Sequence, residues 1–176
     1  MDTFSHAAWG YAALRWRGPQ AARLGALAGA GPDLLYLIPS KIEQVFDKGW
    51  TALFVSRTPG IWRAHGPPLP PDLVEAYRSY YVYTHSLVIV TLVLGILLLL
   101  GKRRWLWFAL PYTLHIVMDV PTHERYLTPI FYPLSDWTFL GLSWADPRIF
   151  WPNVIALLTV FTWIWWKYHG QLTADN

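Results

Sequence analysis

The chain has 176 residues, of which 54% are hydrophobic and only 14% charged, with 12 tryptophans and no cysteine. Soluble domains carry about 25% charged residues, so this balance, with a mean hydropathy of +0.25, points to a membrane protein folded as one domain over residues 1–176. The absence of cysteine excludes a disulfide framework or a thiolate metal site, and a net charge of +3 is too small to argue for nucleic acid as a partner.

The first apolar stretch runs from Phe4 to Trp16, short for a span of about 20 residues, and stops at Gly18-Pro19. No basic region precedes it, so a cleaved signal peptide is not expected. The second runs from Ala21 to Ile38 and is rich in Ala and Gly, which permits close helix packing in a bilayer. Gly31-Pro32-Asp33 is expected to break it or make it re-entrant. Between Pro39 and Pro71, the residues Ile42, Val45, Phe46, Trp50, Leu53 and Phe54 recur at roughly helical spacing. That pattern fits an interfacial amphipathic helix or a lid packed on the bundle. Gly66 to Pro71 reads as a stiff extended loop.

The third stretch, Tyr83 to Leu100, is the clearest, and Lys102-Arg103-Arg104 closes it. The fourth, Trp105 to Val120, ends in His115-x-x-x-Asp119-x-Pro121-x-His123. His115 and Asp119 stack on one helix face about 6 Å apart along the axis. Pro121 disfavours helical geometry at Val120, so the helix is expected to kink or end there, and the bend could return His123 to the other two. The fifth stretch, Ile149 to Trp166, is aromatic at both ends, as interface belts are, and Lys167 follows it. The fold class expected is therefore all-α, a polytopic membrane helical bundle of four to five segments.

Arg15, Arg17 and Arg23, then Lys102 to Arg104, then Lys167 fall on one side if the segments alternate. The positive-inside rule makes that side cytoplasmic, with the N-terminus out and the C-terminus in. His6, Asp33, His85, His115, Asp119 and His123 then collect on the opposite, extracytoplasmic side. His65 and His169 stand apart in a proline-rich loop and a C-terminal tail. Five of the six have ordinary alternatives: a surface or cap role for His6, a turn for Asp33, an interfacial anchor for His85, and a structural His–Asp hydrogen bond for His115 and Asp119. Nitrogen and carboxylate ligands in such number suit zinc, and also iron or manganese.

The order His6, Pro32-Asp33, Thr84-His85-Ser86, His115-x-x-x-Asp119-x-x-Thr122 and Pro133-Leu134-Ser135 resembles the bacterial inner-membrane proteins called membrane-bound metal-dependent hydrolases, the YdjM-like group. The resemblance covers Ser5 to Trp144. More remotely the order is similar to that of zinc-dependent phospholipases C and related nucleases. Leu35 stands where the family often has a second acidic residue, and Tyr80 and Tyr81 stand where it often has a His-Arg pair. The resemblance implies metal roles for His6, Asp33, His85, His115, Asp119 and His123, with one or two divalent ions, and a multi-pass place in the inner membrane. It implies a hydrolase for phosphoesters of phospholipids or other lipid-linked or small-molecule substrates, in which a metal-activated water attacks the ester. Asp33 or Glu124 would take the proton. Arg125 would steady a phosphate or carboxylate, or else contact a lipid headgroup. The alternative to an enzyme is a membrane protein that binds or senses a divalent metal.

Overall fold

The computed structural model describes residues 1–50, 78, 80–124 and 127–169. Among them the regular structure is entirely helical: α1 (Thr3–Leu14), α2 (Pro19–Lys48), α3 (Leu87–Leu99), α4 (Ala109–Thr122) and α5 (Pro147–His169), with short 3-10 turns at Arg15–Arg17 and Arg103–Phe108. Asp2 caps α1 by accepting from the Ser5 amide at 2.9 Å, as short polar side chains do at helix starts. Ser86 caps α3 through the Ile89 amide at 3.2 Å.

Among the described residues one helix, over Pro147–Tyr168, is long and apolar enough to cross a membrane by itself. At 1.5 Å per residue α1 and α3 reach only about 18–20 Å, short of a hydrocarbon core of about 30 Å. Helix length therefore does not carry the four-to-five-segment expectation. Two boundaries also differ from those the prolines suggest. Residues Gly31-Pro32-Asp33 do not break the second segment, because α2 continues through both Pro32 and Pro39 to Lys48. Proline removes one helical bond but leaves the carbonyl a turn earlier free for another donor. Likewise α4 ends at Thr122 rather than Val120, with His123 extended at φ −121° and ψ 127°. The amphipathic stretch is continuous with α2 as far as Lys48. Ile42, Phe46 and Trp50 are exposed on it, against a packed lid at those positions, while Leu53, Phe54, His65 and the 66–71 loop lie outside the described residues.

The helices run in alternating directions. Gly10 of α1 crosses Gly25 and Gly29 of α2, so closely that a Cβ on Gly10 would lie 2.2 Å from the Gly25 carbonyl oxygen. His6 near the start of α1 meets Asp119 near the end of α4 at 2.8 Å, whereas Trp16 past the end of α1 meets Trp107 before α4, ring centroids 5.6 Å apart. These two helices are therefore antiparallel. Helix α5 runs parallel to α1, since Trp9 donates to Asn153 at 2.8 Å and Arg15 lies over the Tyr168 ring at 3.8 Å. One end of the bundle consequently gathers Arg15, Arg17 and Tyr168 with Trp16 and Trp107, and the other gathers the histidines.

Helix α3 stops in a Schellman turn: the Lys102 amide donates to Leu97 O at 2.8 Å and the Gly101 amide to Leu98 O at 3.0 Å. Gly101 has φ +68°, where a side chain crowds the following carbonyl. Gly101→Ala is expected to cost about 1 kcal/mol, read as a melting temperature lower by about 2–4 °C.

The interior is inverted relative to a soluble domain. Among the described residues, six hydrophobic residues are buried against eleven polar or charged ones, while Leu99, Phe46 and Phe4 are more than four-fifths exposed. A polar core inside an apolar exterior suits a lipid solvent and costs free energy in water.

Candidate metal centre

Four elements supply the buried cluster: α1 brings His6, α2 brings Asp33, the turn before α3 brings His85, and α4 brings His115 and Asp119. One ligand atom from each of Asp33, His85, His115 and Asp119 lies within 4.8 Å of the others, a set that could hold a metal ion. The Nε2 atoms of His85 and His115 face each other at 3.2 Å. Asp119 Oδ2 lies 3.1 Å from His115 Nε2 and 3.5 Å from His85 Nε2. Asp33 Oδ1 lies 3.6 Å and 3.7 Å from the same two nitrogens.

The opposite side of each ring decides what these atoms are. His115 Nδ1 is 2.6 Å from the Gly29 carbonyl and His85 Nδ1 is 3.2 Å from that of Tyr81. A carbonyl only accepts, so His115 Nδ1 carries the hydrogen and the neutral ring presents a lone pair at Nε2. His85 Nδ1 lies nearer still to the Thr84 hydroxyl, at 2.9 Å, which can either donate or accept. Two imidazole nitrogens and two carboxylate oxygens thus converge within 4.8 Å of one another. Asp119 Oδ2 is buried and has no hydrogen-bond partner. Two buried carboxylates repel each other until a cation or protons offset them, and imidazoles oriented from behind are the usual support of a metal site. The donor chemistry therefore fits a divalent ion.

Asp119 faces two ways. Its Oδ1 lies 2.8 Å from His6 Nε2 and 3.5 Å from His123 Nδ1, and the Met1 amine also contacts it. His123 Nδ1 is also 3.1 Å from the Asp119 carbonyl. Burial lowers the His123 imidazole to about 4, so it is neutral at pH 7. The turn that returns it is held by the backbone of a later segment: Gly141 N donates to His123 O and Leu142 N to Pro121 O, both at 3.0 Å. A Cβ on Gly141 would lie 2.4 Å from Pro121 O, so that close approach needs glycine.

Of the other expected site residues, Glu124 lies in the bend after His123, outside the four-ligand set, and Arg125 is beyond the described residues. Three supporting groups carried no sequence signal of their own. Thr3 donates to Asp33 Oδ2 at 2.5 Å, Tyr81 stacks on His85 with centroids 3.8 Å apart, and the Gly29 carbonyl orients His115. Thr3→Val should keep the fold and weaken metal binding by about 10-fold, within the range for lost supporting partners; competition with a chelating dye measures it.

Searches against protein-family models, curated proteins and solved structures find no match to this chain.

Proposed function

We propose that the protein is a multi-pass, membrane-bound, metal-dependent hydrolase of phosphoester bonds, acting on a phospholipid or lipid-linked substrate, as its resemblance to the YdjM-like group implies. The observation that carries the reading is the buried convergence of His85 Nε2, His115 Nε2, Asp33 and Asp119 within 4.8 Å of one another. The inverted burial supports the membrane setting, and its six members match the resemblance in order. The six polar side chains sit at the end of the bundle away from Arg15 and Arg17, which under the positive-inside rule is the extracytoplasmic side.

In this reading His85, His115, Asp33 and Asp119 hold the ion, zinc before iron or manganese, and His6 and His123 complete the shell around Asp119 Oδ1. A bound divalent ion would lower the pKa of a coordinated water from its bulk value toward about 7. Thr3 fixes the orientation of Asp33, and the carbonyls of Gly29 and Tyr81 fix the two rings. A carboxylate engaged as a ligand is a poor base. That leaves Glu124, in the bend beyond His123, as the proton acceptor rather than Asp33. Arg125 is the candidate anion contact.

One observation favours the second reading, a protein that binds or senses a divalent metal without catalysis. His85 and Asp119 have no exposed surface and His115 only 1%, and closed sites are usual for structural ions, whereas catalytic ones keep an open position. Metal analysis of the purified protein, followed by hydrolysis assays on a phospholipid panel with and without added zinc, tests both. Zinc-dependent release of a phosphorylated or diacyl product supports the hydrolase. Stoichiometric metal with no hydrolysis leaves the binder, and a chain without metal overturns both.

A further inference from the structure

Helix α3 stands off from the Arg103–Phe108 turn and α4, and the space between is a groove of about 650 Å³ that runs from Leu35 and Tyr83, toward the histidine end, to Lys102 at the other. Val90, Val93 and Leu97 form one wall, and Trp105, Phe108 and Tyr112 the other. The single charged group in its lining is Lys102, set at the mouth by the Schellman turn. Arg103 and Arg104 follow it directly and are exposed. Arg17 reaches the same end, lying 4.1 Å from the Trp107 ring centroid. Among the described residues none of these four cations forms an ion pair, and the acidic groups Asp33 and Asp119 lie at the other end with the histidines.

The apolar lining runs along α3 from Ile89 to Leu100, about 16 Å at 1.5 Å per residue, and continues to Tyr83. A long apolar groove that ends in a run of basic residues matches one kind of occupant, an acyl chain carrying an anionic head. We propose that the groove binds an acidic glycerophospholipid, with one acyl chain between α3 and α4 and the phosphate at Lys102–Arg104. The headgroup end at Lys102–Arg104 lies away from the metal centre, and the binding does not depend on hydrolysis. Charge selects the headgroup and shape holds the chain, so affinity should fall when either is altered.

The test is native mass spectrometry of the full chain released from mixed micelles containing equal phosphatidylglycerol and phosphatidylcholine. The wild type is expected to retain one phosphatidylglycerol in preference to phosphatidylcholine. Replacing Lys102, Arg103 and Arg104 together by Gln should weaken that retention by about 100-fold, each basic residue near an anionic headgroup contributing about fivefold. Val93→Trp, which fills the groove, should abolish retention while leaving the cations in place. If Val93→Trp does not fold, Ala109→Phe obstructs the opposite wall and is read in the same way. Glycerol 3-phosphate in excess should not displace the lipid. Equal retention of the two lipids by the wild type, displacement by glycerol 3-phosphate, or undiminished retention in a folded groove-filling variant would overturn the proposal.

Discussion

Asp119→Ala is expected to abolish stoichiometric metal in the purified protein and, with it, any metal-dependent hydrolysis. Asp119 is the one side chain that touches both halves of the cluster, Oδ2 toward His115 and His85 and Oδ1 toward His6 and His123. Losing it removes a ligand and also the carboxylate that holds His6, so the affinity loss should exceed the 10–100-fold typical of supporting partners. Elemental analysis and chelator titration measure the effect, with helical circular dichroism as the check on folding. His115→Ala should behave similarly but leave the His6–Asp119 contact. Metal retained at full stoichiometry in both variants would remove the pair from the centre and with it the proposed function.

Gly10→Ala should be the most destabilising single-carbon change in the described part of the chain. Its Cβ would lie 2.2 Å from the Gly25 carbonyl oxygen and 3.0 Å from Gly29 Cα, both backbone atoms that cannot rotate away. Helices α1 and α2 would have to separate. Overpacking of this kind costs about 1–3 kcal/mol, occasionally more, and the upper end corresponds to a melting temperature lower by about 6–12 °C. The damage should reach the metal centre, because Gly29 supplies the carbonyl that orients His115 and a Cβ there would meet His6 O at 2.4 Å. Metal affinity should therefore fall with stability in Gly10→Ala and in Gly29→Ala. Thermal melts in detergent beside dye competition separate this coupling from simple unfolding, since a purely global effect would leave the affinity of the folded fraction unchanged.

Helical periodicity and hydropathy were enough to expect an all-helical chain, because an apolar run bounded by glycine, proline and basic residues has few other ways to satisfy its backbone. The helix boundaries at prolines were less legible. Gly31-Pro32-Asp33 read as a break, yet α2 runs through both Pro32 and Pro39, since each proline removes one helical bond and leaves the rest of the ladder in place. Nearby, the Gly29 carbonyl accepts from His115. Nothing in a single sequence marks a carbonyl as an acceptor for a ring 86 positions later. The supporting role of Thr3 was hidden for the same reason, because its partner Asp33 is distant in the chain and adjacent only in the bundle.

What the sequence determined by itself was the chemistry available: no thiols, a low charge content, and histidines and aspartates set among apolar stretches. It also determined local pairings, such as His115 above Asp119, because a helix places residues four apart on one face. Only the tertiary structure decided which of these side chains meet, how Asp119 divides its two oxygens, and which nitrogen of each imidazole faces the cluster. The physical reason is that tautomer and ligand geometry are set by partners behind the ring. Here those partners are backbone carbonyls brought close by a glycine-lined helix crossing and a later loop folded over the exit of α4.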